Sequence, residues 1–150
     1  MGTIDINMYG VRKRFSQSLN DMHDPKSRQV VKEYLAKQGI IVKDNPNKRG
    51  VDLLSEDGTV QIELEHRPPW IDEEFPYAEV NILSRKQYLG EGKIDYIILS
   101  RNFKRIGIIS GEAIKPYIID SNLHHHRNKH VFEGEYVYKV PVEKFKWVTV

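Results

Sequence analysis

An alternating segment at residues 60–67 limits the fold of this chain more than any other feature. It follows the dipeptide Asp57-Gly58, a frequent turn of β-hairpins. Apolar and polar side chains alternate along it, which predicts a strand with one buried face and one polar face. Glu63 and Glu65 share the polar face about 7 Å apart, and such carboxylates repel each other unless a cation or a proton lies between them. The segment therefore predicts a β-hairpin with an acidic face.

The rest of the chain alternates between short apolar strands and amphipathic helices. Asp24-Pro25 is typical of a helix beginning and Gly39 of a helix end, so a helix is predicted at residues 25–38. The run at residues 96–99 is apolar on both faces and predicts a central strand. This order predicts an α/β (α+β) fold with a central mixed β-sheet flanked by helices. The other predicted elements are strands at 40–42, 51–54, 60–66 and 106–109, an edge strand at 137–140, a loop at 70–80, and helices at 83–89 and from 111.

Composition restricts the class of protein. The 150 residues fit a single domain, and 39% apolar with 29% charged residues is sufficient for a folded core. The formal charge is only +2, which argues against the bulk basic charge of histone-like DNA binders. The chain has no cysteine, so thiol nucleophiles, zinc ribbons and iron–sulfur sites are excluded.

Location and cofactors are restricted by what the sequence lacks. No apolar run approaches the roughly 20 residues that span a bilayer, and the first residues have no signal-peptide core. We therefore expect a cytoplasmic protein without a membrane partner, or one in the host-cell cytoplasm if its origin is viral. No Gly-x-x-x-x-Gly-Lys loop is present, so no nucleotide cofactor is expected. The histidine-rich tract at residues 124–130 is interpreted as a solvated loop or as a phosphate contact through Arg127 and Lys129, and the alternative is a transition-metal site that uses its imidazoles.

Asp52 lies on the strand that precedes the acidic one. The predicted hairpin folds residues 51–54 back against residues 60–66, so Asp52 can lie beside Glu63 if the register agrees. An aspartate among apolar neighbours is costly to bury without a partner, and Mg²⁺ binds carboxylate oxygens of this kind. The alternative is a solvated sheet face on which these acids are merely exposed.

The order of these motifs resembles the PD-(D/E)XK nuclease superfamily, which has the restriction-endonuclease-like fold. That family has a helix with a glutamate, a Gly-x-Asp strand, a hairpin, and a strand ending in (Asp/Glu)-x-Lys. The corresponding positions here are Glu33, Gly50-Val51-Asp52 and Glu63-Leu64-Glu65. The run at residues 80–86 and the strand after it resemble the second half of the family domain, so the resemblance covers about residues 28–110.

The resemblance implies a metal-dependent DNA endonuclease that uses Mg²⁺, with Mn²⁺ as a substitute. It assigns the metal to Asp52, Glu63 and the backbone carbonyl of Leu64. The catalytic residues that it implies are Glu33, Asp52, Glu63 and Glu65, and Glu65 would help to bind the metal or act as general base on the attacking water.

Glu65 departs from the family pattern, in which this position is a lysine. Some restriction enzymes of this fold carry a glutamate there, so the change need not abolish activity. The missing positive charge could come from Lys86 on the following helix, from Arg67 on the same strand face, or from a second metal ion. If catalysis has been lost, the chain is a catalytically inactive nucleic-acid-binding module of the same fold.

Binding of DNA requires cations around the acidic site. The candidates in the sequence are Lys48, Arg49, Arg67, Arg85 and Lys86. A homodimer is expected if both strands are cut, because two-fold symmetry supplies two active sites. Two further alternatives are a protein-interaction domain with merely exposed acids, and a glycosidase that uses Asp52 and Glu63 as its carboxylate pair.

Overall fold

The computed structural model describes residues 6–7, 10–11, 17–47, 49–119, 124–125 and 136–150, with side chains from residue 25 onward except at 124–125. No helix in this part of the chain is both long and apolar enough to cross a membrane. The elements in chain order are β1 (Ile6–Asn7), β2 (Gly10–Val11), α1 (Gln17–Lys37), β3 (Lys43–Asp44), β4 (Leu53–Leu54), β5 (Gln61–His66), β6 (Glu79–Leu83), the 3₁₀ helix η1 (Ser84–Glu91), β7 (Asp95–Leu99), β8 (Arg105–Ile109), α2 (Gly111–Ile119), β9 (His124–His125), β10 (Tyr136–Pro141), the 3₁₀ helix η2 (Val142–Lys144) and β11 (Lys146–Thr149).

The main sheet has six strands in the order β11-β8-β7-β5-β4-β3. All neighbouring strands in it are antiparallel except β5 and β7. Parallel neighbours need a crossover connection rather than a tight turn, and here that crossover carries β6 and η1. The sheet is therefore mixed, and the mixed α/β class predicted from the sequence is confirmed.

Two apolar clusters lie on opposite faces of the main sheet. In one, Val31 and Leu35 of α1 pack against Ile62 and Leu64 of β5. The other cluster joins the main sheet to η1, α2 and a three-stranded sheet of order β6-β10-β9. Because side chains alternate along a strand, the odd-numbered residues of β5 face this second layer.

Helix α1 is longer than the sequence predicts. It begins at Gln17 and contains Pro25 in its interior. A proline inside a helix removes one backbone hydrogen bond without having to end the helix, so the predicted beginning at Asp24-Pro25 is wrong. The predicted end is confirmed, because Gly39 has φ 80° and the Ile40 N–H donates to the Leu35 carbonyl at 2.9 Å.

Several strand boundaries also differ from the predictions. The strand predicted at residues 40–42 is wrong, since β3 begins at Lys43. The loop predicted at residues 70–80 runs into β6, and β10 is not an edge strand, because it pairs with both β6 and β9. Strands β6 and β10 are far apart in the sequence, so no local pattern reveals that they pair. The histidine tract lies outside the described residues apart from the backbone of β9.

Candidate functional site

The hairpin between β4 and β5 brings Asp52 and Glu63 together. Leu53 pairs with Ile62 in the ladder, so the residue before Leu53 lies opposite Glu63. Asp52 is the residue before β4. Its side-chain Oδ2 accepts a hydrogen bond from the Leu64 N–H of β5 at 2.7 Å, in the place where a strand partner would offer a backbone carbonyl. The N–H and C=O groups of one strand residue point to the same side, so the Leu64 carbonyl also faces this edge.

The Asp52 carboxyl is placed where its charge is unfavourable. Burial raises the pKa of Asp52 to about 6, and the charge of Glu63 adds to this effect, against the Leu64 N–H and the Arg28 charge, which lower the pKa. Arg28 reaches in from α1 and donates to Asp52 Oδ1 at 3.2 Å and to the Asp52 backbone carbonyl at 2.7 Å. Asp52 thus holds a proton below about pH 6 and, above it, is a second negative charge beside Glu63.

Glu63 is held by two donors from η1. Its side chain is only 11% exposed. Lys86 Nζ donates to Glu63 Oε2 at 3.3 Å, and the Tyr88 hydroxyl donates to the same oxygen. Burial, together with the hydrogen bond to Glu63, raises the pKa of Tyr88 well above its usual range, so the hydroxyl remains a donor.

Glu65 lies in a separate network on the same face. Arg67 Nε lies 2.6 Å from Glu65 Oε2, and Lys86 Nζ lies 3.7 Å from Oε1. Burial alone would raise the pKa of Glu65, but the charges of Arg67 and Lys86 and a hydrogen bond from Tyr96 outweigh it and lower the pKa. Arg67 also donates to the Asn81 carbonyl at 2.6 Å and contacts the Tyr96 hydroxyl at 3.1 Å. Glu65 is therefore an ionised carboxylate with cations on both oxygens, which makes it a weak base.

Lys86 joins these two parts of the site. Its ammonium group lies 3.3 Å from Glu63 and 3.7 Å from Glu65, and its side chain is 18% exposed. It therefore supplies a positive charge on the acidic face of β5 from a neighbouring element rather than from the strand itself.

The oxygen atoms near Asp52 are of the kind that bind a divalent cation. No group of three or more His, Asp or Glu side chains in the described ranges forms a ready-made metal site. Asp52 lies opposite Glu63 in the register, and burial first, with the charge of Glu63 added, raises the pKa of Asp52. A bound cation would stabilise the ionised form of such a carboxyl. Mg²⁺ is commonly bound by only one or two carboxylates, and water and substrate phosphate complete its shell. The carboxylate pair with the Leu64 carbonyl fits that mode of binding.

Glu33 lies on α1 rather than with the acids of the β4–β5 hairpin. It is exposed on α1, the helix that packs on the apolar face of β5, and it accepts a hydrogen bond from Gln29 Nε2 at 3.2 Å. It lines a cleft of about 480 Å³ with Arg28, Lys32 and Asp44. The structure thus brings together Asp52, Glu63, Leu64, Glu65 and Lys86, but not Glu33.

The predicted DNA-contacting cations are divided. Arg49 and Arg85 are exposed, whereas Lys48 lies outside the described residues. Arg67 forms an ion pair with Glu65 and hydrogen bonds with Asn81 and Tyr96. Its guanidinium therefore holds neighbouring strands together and does not serve as a phosphate contact.

Sequence analysis missed Arg28 and Tyr88. Residues two apart on an α-helix point about 200° from each other. Helical periodicity therefore predicts that Lys86 and Tyr88 contact different residues, not the same carboxylate. They converge on Glu63 because η1 is a 3₁₀ helix with a kink at Lys86, where φ is −92° and ψ is 28°. Arg28 precedes Glu33 on α1 and carries no motif, so it had no sequence signal.

The chain was compared with known proteins. No protein-family model matches it, and no curated protein is significantly similar to it. The functional inference therefore depends on the geometry of the site and on the motif resemblance.

Proposed function

We propose that this protein is a Mg²⁺-dependent phosphodiesterase of the PD-(D/E)XK type, acting as a DNA endonuclease. The observation that carries the proposal is that the ladder register places Asp52 opposite Glu63, with an ammonium group 3.3 Å from Glu63. The two acids of the β4–β5 hairpin and the cation from η1 form the set of groups that the motif requires. Their convergence is supporting evidence, because Lys86 lies on an element distant in sequence from Asp52.

The topology is compatible with a restriction-endonuclease-like fold. An antiparallel hairpin leads into β5, and a crossover then leads to the parallel strand β7 in the same mixed sheet. A helix precedes this unit, as in the family pattern. These features support the fold assignment, whereas the three-stranded sheet is additional to the pattern.

Each residue near Asp52 has a separate role in the proposed hydrolysis. Asp52, Glu63 and the Leu64 carbonyl would hold the cation. When bound, a divalent cation neutralises charge on the scissile phosphate and lowers the pKa of the attacking water. Lys86 replaces the lysine of the family motif, because its ammonium lies beside Glu63 and can stabilise charge that develops on the phosphate.

Glu65 is assigned a positioning role rather than that of a general base. Both of its oxygens face cations, and its pKa is lowered. Its charge holds Lys86 on the acidic face of the strand. Glu65, at the position of the family's lysine, thus forms an ion pair with the lysine that η1 supplies in its place.

DNA is the proposed substrate, with a homodimer for cleavage of both strands. Exposed Arg49 and Arg85 are the described candidates for phosphate contact. A dimer would supply the second active site by symmetry.

One observation favours a catalytically inactive nucleic-acid-binding module instead. The acids are already compensated within the protein, since Lys86 and Tyr88 occupy Glu63 Oε2 and Arg28 contacts Asp52. Such a module would bind DNA with the same affinity with or without Mg²⁺, and Asp52→Ala would leave that affinity unchanged.

A plasmid cleavage assay tests the proposal. Wild type, Asp52→Ala and Glu63→Ala are incubated with supercoiled plasmid in Mg²⁺, Mn²⁺ or EDTA. The matched control is Glu56→Ala, an exposed acid in the hairpin turn. We expect nicked or linear plasmid from wild type and the control with either metal, and none in EDTA or from the two site variants. Cleavage that persists in EDTA or in both site variants would overturn the proposed metal site.

A further inference from the structure

Tyr88 has no role in the hydrolysis described above, yet it contacts a proposed metal ligand. Its hydroxyl donates to Glu63 Oε2, the same oxygen that accepts from Lys86 Nζ. The Tyr88 side chain is 39% exposed, so its ring lies at the mouth of the site. Both donors from η1 thus end on one oxygen of Glu63.

The position of Tyr88 is fixed by its neighbours rather than by the hydrogen bond alone. Leu89 is fully buried in the second apolar cluster. A Cβ on Gly90 would meet the side chains of Ile118 and Ile119 at 3.0 Å, so η1 lies directly against α2. The packing of Leu89 and Gly90 therefore fixes the backbone of η1 at the position from which Tyr88 reaches Glu63.

The two oxygens of Glu63 are consequently unequal. Oε2 accepts from an ammonium and a phenol hydroxyl, so Oε1 is the oxygen that we assign to a cation. A carboxylate restricted in this way can bind a metal through one oxygen only. Ca²⁺ takes 6–8 oxygen ligands at 2.3–2.6 Å and accepts bidentate carboxylates, whereas Mg²⁺ requires octahedral geometry at 2.0–2.1 Å.

We propose that Tyr88 is a positioning residue that restricts Glu63 to one metal-facing oxygen and so favours Mg²⁺ and Mn²⁺ over Ca²⁺. The inference rests on the proposed function, because it takes Asp52 and Glu63 as metal ligands. It goes beyond that function in naming the residue that sets the cation preference.

Calorimetric titration of the whole chain with Mn²⁺ and, separately, with Ca²⁺ tests this role without an activity assay. The variants are wild type, Tyr88→Phe, Tyr88→Leu and Asp52→Ala, with Tyr77→Phe as the control at a 65% exposed tyrosine. Loss of a hydrogen bond to a metal ligand typically weakens metal binding by 10–100-fold. We expect about 10-fold weaker Mn²⁺ binding in both Tyr88 variants, and a smaller or no loss for Ca²⁺, so the Mn²⁺/Ca²⁺ affinity ratio falls.

The outcomes separate the two proposals. If wild type and Tyr77→Phe bind Mn²⁺, Asp52→Ala does not, and the Tyr88 variants keep the wild-type ratio, the role of Tyr88 is overturned and the metal site stands. If wild type binds neither cation, or Asp52→Ala binds as wild type does, the metal site itself is overturned, and the role of Tyr88 with it. Thermal unfolding of each variant, followed by circular dichroism, establishes that the titrated protein is folded.

Discussion

The two faces of β5 differ in chemistry although they belong to the same six residues. On one face Ile62 and Leu64 pack against α1 in a cluster of aliphatic side chains. On the other, Glu63 is bound by Lys86 and Tyr88 of η1, and Glu65 forms ion pairs with Arg67 and Lys86. The first face is an ordinary core. The second is a charged network between β5 and η1.

The comparison concerns stability, to which a buried charged face contributes less than a buried apolar one. Burying an ion pair costs desolvation energy that its attraction barely repays, so apolar replacements of similar volume are often neutral or stabilising. Asp52 illustrates the cost, because its pKa is raised by burial and by Glu63. We infer that the charged face is maintained for chemistry and that the apolar face maintains the fold.

The largest expected effect is on catalysis, through Lys86. Lys86→Met removes the ammonium beside Glu63 while keeping most of the aliphatic stem. We expect cleavage in Mg²⁺ to fall about 10²–10³-fold, the cost of removing one preorganised group that stabilises transition-state charge. Single-turnover cleavage rates measure this, with the exposed Lys93→Met as the control. A wild-type rate in folded Lys86→Met would remove Lys86 from the proposed mechanism.

On the apolar face the expected effect is on stability. Ile62 is 1% exposed, and Ile62→Ala should lower the free energy of unfolding by about 3 kcal/mol because it leaves a cavity. Urea denaturation measures the change, and Ile71→Ala, at a 57% exposed position, should change little. The distinguishing result is that folded Ile62→Ala binds Mn²⁺ as tightly as wild type. Loss of metal binding in that folded variant would contradict the division between the faces.

A smaller effect is expected from pH. The pKa of Asp52 is about 6 in the folded protein against 3.8 for an ordinary aspartate. Between these pH values the Asp52 carboxyl is ionised in the unfolded chain but protonated in the folded protein. Raising the pH through this range therefore favours unfolding. In EDTA we expect the contribution of Asp52 to the unfolding free energy to fall by about 2 kcal/mol between pH 4 and pH 7, as the difference between wild type and Asp52→Asn.

Denaturation curves across this pH range measure that loss. In Asp52→Asn the same curves should lose most of this pH dependence, because no carboxyl remains to titrate at that position. A wild-type profile in Asp52→Asn would assign the effect to another group.

The hairpin and its acids were predictable because they depend on local chemistry. Asp57 and Gly58 favour the turn, and in the structure Asp57 accepts from the Ser55 hydroxyl at 2.7 Å while Gly58 has φ 76°. The alternation along β5 then fixes which residues share a face. The register follows from the turn, which is why Asp52 could be expected beside Glu63.

The cation that completes the site could not be chosen from the sequence. Strand periodicity favours Arg67, which does share the face of Glu65, but the structure commits its guanidinium to Asn81 and Tyr96 as well. Lys86 reaches Glu63 only because of the crossover and the kink in η1. Both depend on tertiary packing that no segment of the sequence encodes alone.

The most direct test of the central claim is the stability of Asp52→Asn at pH 8, with and without Mn²⁺. Asparagine keeps an acceptor for the Leu64 N–H but removes the charge beside Glu63. In EDTA we expect the variant to be about 1 kcal/mol more stable than wild type, as is common when a functional residue is replaced. Mn²⁺ at 100 times its Kd should stabilise wild type by about 2.7 kcal/mol and leave the variant unchanged. A variant that is less stable in EDTA and equally stabilised by Mn²⁺ would show that Asp52 serves the fold and not a metal.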